Sequence, residues 1–311
     1  MKTKRKSRIR IRISTIAISL ALTLPPALTL WTAQTETYAH YTPDYAKTDL
    51  LPILQKPAPS PADYDLLLQQ TGLARPGVDE LYESNQQWRL LGLQERFHAP
   101  AEVECCRDNL FTRSERLTNF RELVYDGNPA QLQVASAGTA EAGTGSLSEF
   151  YFMPTVQTGD ILITFNGHVF GWRSGHAAMV VDAEKRLTLE AIMPGFDSEI
   201  CSLDDWQEYP GFALLRLKGA SREEREQIAA YAQKYLTGLP YSLTAFADSQ
   251  DSAGEACPPS LSGTQCAHLV WYAYQHFGYN LNSDGGPIVT PDDLYRSDLL
   301  ELVQIYGLSP E

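Results

Sequence analysis

Between residues 149 and 218 the apolar positions fall in four short blocks: GDILITF (159–165), HAAMVVDA (176–183), RLTLEAIM (186–193) and FALLRLK (212–218). Short aliphatic and β-branched runs of this kind predict strands. HAAMVV does not alternate, which predicts a strand buried on both faces. The period then changes. SREEREQIAAYAQKYLTG (221–238) predicts a helix, opened by a capping box between Ser221 and Glu224 and stopped near Gly238. SGTQCAHLVWYAYQHFG (262–278) predicts another, with Thr264 as N-cap, Gly278 as stop and Val270, Ala273, Tyr274 and Phe277 as its buried stripe. TPDDLYRS (290–297) predicts a short helix, with Thr290 as cap, Pro291 in the first turn and two acids at the positive end. Strands followed by helices make an α+β layout, not an alternating one.

Upstream the pattern is coarser. Residues 63–126 read as a mainly helical region, with Leu81, Trp88, Leu91 and Phe97 on one side. Residues 40–62, which include the proline-rich KPAPSPA, read as a linker; the Gly/Ala-rich 127–148 reads as a second linker or an exposed loop. The catalytic region is expected over 149–311.

The first 39 residues change the picture. Seven basic residues precede an apolar run, ISTIAISLALTL, then Pro25-Pro26 and a small-x-small site at Thr37-Tyr38-Ala39. That order predicts a secretory signal peptide and an exported, secreted or cell-surface protein. The alternative is an uncleaved membrane anchor, with membrane contact through this segment alone. The whole chain of 311 residues has a net charge of −13. Cleavage would take seven of the 25 basic residues and one of the 38 acidic ones, leaving −19. Such a surface repels nucleic acid, which is excluded as a partner.

The chain has five cysteines: Cys105, Cys106, Cys201, Cys257 and Cys266. An odd number leaves at least one thiol without an intramolecular partner. The other four allow zero, one or two disulfides. There is no zinc-spaced Cys/His cluster, no HExxH and no glycine-rich phosphate loop, so no metal and no cofactor is expected.

Cys266 falls in the first turn of its helix, where unpaired N–H groups favour a thiolate and can hold an oxyanion. Alone, a cysteine in this place is more often a small packed residue than a nucleophile. His176 opens a buried strand after Gly175 and is a candidate general base. Glu190 is an acid inside an apolar strand and needs a buried partner, for which an imidazole is suited.

Together, GDILITF, GHAAMVVD, TLEA, GLPY, QCAHLVWYAY and VTPDDLYRS, in that order, resemble the circularly permuted papain-like amidases, the YiiX-like branch of the NlpC-type cell-wall hydrolases. The resemblance covers about 150–305. It implies a permuted papain-like fold, an antiparallel sheet packed on helices, with Cys266 as nucleophile, His176 as base and Glu190 as orienter. It also implies that Tyr241 lines the site. His168 and Gln265 are further candidates for substrate binding. The expected activity is cleavage of an amide in cell-wall peptide or a short peptide, with a peptide or peptidoglycan fragment as partner. One departure is Cys266-Ala267-His268-Leu269-Val270, because a Cys-x-His form occurs in acyltransferase-like relatives. Lipid acyl hydrolysis or transfer is therefore the alternative, and a non-catalytic binding module the second.

One consequence is geometric. Side chains alternate along strands, so His176 and Glu190 share a face only if their hairpin has an odd-length loop around DAEKR, or a bulge. A two-residue turn at Glu184-Lys185 would turn Glu190 away.

Overall fold

The computed structural model describes residues 40–106, 112–117, 152–170, 172–246 and 261–310. The basic and apolar segment 1–39, the Gly/Ala-rich 127–148 and Cys257 lie outside them. Among the described residues no helix is long and apolar enough to cross a membrane.

The protein is α+β with antiparallel sheets. Four of its strands are those the apolar blocks predict: β3 (Ile161–Thr164), β6 (His176–Asp182), β7 (Leu187–Glu190) and β9 (Phe212–Leu217). With β8 (Glu199–Ser202) and β10 (Leu300–Tyr306) they form a six-stranded antiparallel sheet in the order β10-β9-β3-β6-β7-β8. The pleat divides β6 between two cores. Ala177, Met179 and Val181 pack under helices α5 (Arg222–Tyr235) and α6 (Cys266–His276); Ala178 and Val180 pack with Trp206, Phe152 and Phe212 on the opposite side. The strand is thus buried on both faces, which its unbroken apolar run requires.

The β6–β7 hairpin has neither a two-residue turn nor a simple odd loop. Asp182 pairs with Leu187, and the register then shifts by one at Val181, so that Val180 faces Thr188 and Met179 faces Leu189. This bulge restores the even pairing that brings Glu190 level with Ala178, on the same face as His176.

The upstream region departs from the expectation in two places. Residues 40–62 are not simply a linker. Leu50, Ile53 and Leu54 are buried around a short helix α1 (Leu51–Leu54), and Ser60 and Asp63 form a capping box that starts α2 (Pro61–Thr71) at Pro61. The proline-rich stretch is therefore a helix start. Helices α3 (Arg75–Glu83) and α4 (Arg89–Phe97) follow, separated at Asn85, whose φ is +54°. Leu81, Leu90, Leu93 and Phe97 are buried, while Trp88 and Leu91 are only partly so. Residues 103–106 and 112–117 are strands, not helix. Here β1 (Val103–Cys106) and β2 (Thr112–Leu117) pair, and β2 joins β4 (Gly167–Val169) and β5 (Trp172–Arg173) in a four-stranded sheet β1-β2-β4-β5. The partner of Thr112 is Val169, far along the chain, so no local period announces these strands.

The helical region is bonded to the last strand. Tyr41 N–H donates to the Gly307 carbonyl at 3.0 Å, Ala74 N–H to Val303 at 2.9 Å, and Ile305 N–H to Gly72 at 2.8 Å. Gly72 has φ +70°, and a Cβ there would stand 2.2 Å from the Ile305 carbonyl oxygen, so only glycine fits this close approach.

Candidate active site

His176 is the first residue of β6, placed there by Gly175. That glycine has φ +70°, and a Cβ on it would lie 2.6 Å from the Thr164 carbonyl oxygen. The imidazole Nε2 lies 2.7 Å from Glu190 Oε2, and both side chains are buried. The other oxygen, Glu190 Oε1, accepts from Thr188 Oγ1 at 2.6 Å and from Trp206 Nε1 at 2.9 Å. With Nε2 on Glu190, Nδ1 is the ring nitrogen left free of it, and Cys266 lines the same cleft as His176. Burial opposes a charge on His176, but the hydrogen bonds to Cys266 and Glu190 and their charges outweigh it and raise its pKa from 6.5 to about 10. Burial likewise works against the Glu190 carboxylate; the bond and charge of His176 overcome it, and its pKa falls below the ordinary value.

Cys266 is the first residue of α6, and 7% of it is exposed. The helix begins one residue later than Thr264 would have it. Gln265 is the N-cap; its Oε1 accepts from Ala267 N–H at 3.0 Å and from the Cys266 thiol at 3.5 Å. Gln265 Nε2 donates to the Val289 carbonyl at 2.7 Å. Both ends of this amide are therefore committed to the helix start rather than offered to a substrate. Gln265→Ala should cost about 1 kcal/mol, the usual worth of a cap. At about 3 °C per kcal/mol in a chain of this size, thermal unfolding reads it directly. An unchanged midpoint would mean that the cap contributes nothing.

Thr264 Oγ1 instead pairs with His268 Nδ1 at 3.0 Å. His268 is buried, and desolvation lowers its pKa to about 4 despite a bond to the Phe246 backbone. It is a neutral core residue that does not face Cys266. The helix carries no narrow stripe either: residues 266–274 are all buried, because α6 is enclosed on every side.

A cleft opens beside Cys266 and His176. Tyr241 lines it, held by its N–H to the Phe196 carbonyl at 3.0 Å and by a parallel bridge to Thr264. Burial, and then the Cys266 charge, push the Tyr241 phenol well up. His168 also lines the cleft and is 2% exposed, from β4 rather than from a loose loop. The opposite wall is a contribution that sequence reading did not find. Thr112 and Ser114 of β2 stand there, with Thr112 Oγ1 3.9 Å from Met193 Sδ. Among the described residues no group of three or more His, Cys, Asp or Glu side chains is placed to hold a metal. Cys106, Cys201 and Cys266 are free thiols.

No family model matches the chain, and no curated protein does. A solved structure does. It is the metalloprotein yiiX from Escherichia coli O157:H7, DUF1105. The two are 18% identical, the match spans 47% of this chain and 96% of that one, and the TM-score is 0.35. A likeness of that size bears on neither activity nor ligand.

Proposed function

We propose that the protein is an exported cysteine hydrolase of the permuted papain-like kind, which cleaves an amide in cell-wall peptide or a short peptide through an acyl-enzyme. The observation that carries this reading is the 2.7 Å contact of His176 Nε2 with Glu190, which leaves the other ring nitrogen free of it, with Cys266 lining the same cleft at a helix start. A cationic imidazole beside a sulfur at a helix N-terminus is the arrangement that sustains a thiolate. Cys266 Sγ attacks the carbonyl carbon. The Cys266 N–H, in the turn whose N–H groups lack intrahelical acceptors, faces the developing oxyanion. The Ala267 N–H is already taken by Gln265. His176 then gives its proton to the leaving amine. In the second half it takes one from water, which attacks the thioester and releases the acid. Glu190 fixes the ring and stabilises its charge.

A second reading, lipid acyl hydrolysis or transfer at the same thiol, has one observation in its favour. Phe196, Leu243 and Phe246, on segments next to Tyr241, are exposed at 57%, 45% and 51%. Hydrolysis of γ-D-glutamyl peptides against lipid esters, each with the Cys266→Ala protein as blank, separates the two. Turnover of neither would leave the fold as a binding module.

Cysteine chemistry gives a test without a substrate. Cys266, at a helix start beside the His176–Glu190 pair, should be alkylated by iodoacetamide already at neutral pH. Burial and the charges of Glu190, Glu199 and Asp205 push Cys201 up to about 12, and that thiol should stay unlabelled. Peptide mapping after a short reaction at pH 7 reads both. Labelling of Cys201 ahead of Cys266 would contradict the assignment.

A further inference from the structure

The carboxylate that holds His176 is itself held, and one side chain touches both partners. Trp206 lies in a 3-10 helix, Leu203–Glu208, which follows β8 and is capped by the Ser202 hydroxyl. It is fully buried. Its indole Nε1 donates to Glu190 Oε1 at 2.9 Å. Its ring stacks on the His176 imidazole at 5.7 Å between centroids and 20° between planes. Tyr209 closes the group, 5.0 Å from Trp206 and 6.5 Å from His176.

We propose that Trp206 is the positioning residue of this site, fixing the Glu190 carboxylate through its indole N–H and the His176 ring through its face. The inference rests on the hydrolase reading above and concerns how the same site is aligned. A buried tryptophan needs a partner for its N–H, and any backbone carbonyl would serve. Here the partner is the one carboxylate that orients the imidazole. With Trp206 and Thr188 on Oε1, only Oε2 faces the ring, so the carboxylate cannot turn away from His176. The stack sets the second coordinate, the tilt of the imidazole plane toward Cys266. Two contacts from one stiff side chain fix the pair more tightly than either alone, which is how outer residues tune an imidazole. The other charged or titratable groups around Glu190 among the described residues are Glu199, its cross-strand partner on β8, Cys201 of the same strand, and Asp205 from the same 3-10 helix; Cys201 and Asp205 feel its charge.

Trp206→Phe is the discriminating variant, because it retains an aromatic ring near His176 while deleting the N–H, along with one of the two fused rings. The readout is the pH dependence of Cys266 alkylation by iodoacetamide, followed by peptide mapping. A hydrogen bond to a charged group is worth enough to move an ionisation by about one unit. In Trp206→Phe the carboxylate is free to turn from His176, so the upper break of the profile should fall by about one pH unit, while the rate at pH 7, well below that break, should stay within about two-fold of wild type. A folded Trp206→Phe protein with the wild-type profile would reduce Trp206 to a core filler and overturn the proposal. If that variant does not fold, or if wild-type Cys266 titrates as an ordinary thiol and the hydrolase reading falls, the indole itself decides. In protein labelled with 15N-tryptophan, Glu190→Gln should displace one indole N–H resonance and speed its exchange with solvent. If none of the indole signals responds, the Trp206–Glu190 bond is absent and the proposal fails.

Discussion

Cys266→Ala is expected to abolish turnover, by at least about a thousand-fold, because the variant has no atom with which to form the acyl-enzyme. The fold should survive. Cys266 is buried at the helix start, so removing its sulfur costs on the order of 1 kcal/mol, the low end for a truncated core side chain. His176→Ala should match the loss of turnover and do more harm to stability. It strips a buried carboxylate of its cationic partner, a change worth about 3–5 kcal/mol. The two residues act as one unit, so the double variant should turn over no more slowly than either single one. Steady-state rates and urea denaturation on the three proteins read both halves. A fully active Cys266→Ala protein would remove the enzyme assignment from this site.

The largest effect on stability is expected away from the cleft, at Asp160. Its carboxylate is fully buried, and Arg216 grips both oxygens, Nε on Oδ1 and Nη2 on Oδ2, each at 2.7 Å. The same guanidinium reaches the Thr155 carbonyl at 2.7 Å and Glu80 of α3 at 3.3 Å. Asp160 Oδ2 also accepts from the Gln157 N–H at 2.7 Å. One ion pair thus ties the start of β3 to β9 and to the upstream helices. Asp160→Ala leaves a buried guanidinium with only Glu80, at 3.3 Å, as counter-charge, at a cost of about 3–5 kcal/mol and a fall in melting temperature of about 10 °C. Adding Arg216→Met removes the orphaned charge, so the double variant should melt above Asp160→Ala alone. If it melts lower still, burial of the charge is not what Asp160→Ala costs.

How much of this the sequence discloses depends on where the bonding partners lie. HAAMVV and FALLRL carry their own signal, since a strand covered on both faces needs apolar residues throughout. Glu190 stood out for the converse reason, and its partners Thr188, Trp206 and His176 meet the need of a buried charge. The capping residues Ser221 and Thr290 act within three residues of themselves, so their bonds are local and readable. At Ser221 one half of the expected box is present: its side chain accepts from the Glu224 N–H. By contrast, β10 was missed because a register shift between Leu302 and Gln304 breaks its alternation. The cap at Gln265 was missed because glutamine is an unusual N-cap, and it works here only by reaching across to Val289. Thr112, Ser114 and Trp206 come to the site through pairings and stacks across long stretches of chain, where no periodicity within a window can point.

The contacts between residues 40–97 and the last strand set an order of assembly. The upstream helices are synthesised first, yet the Tyr41 and Ala74 N–H groups and the Gly72 carbonyl bond to residues 303–307, made more than 200 residues later. Gly72 leaves space for the backbone at Ile305 and for nothing else. A chain still growing can form its helices, but it cannot close this seam. Cys266 and its helix are also late, so the catalytic pair and the seam that braces it are completed almost together. A protein that loses its final strand should therefore lose the packing of its first helices too, and fail as a whole rather than fray from one end.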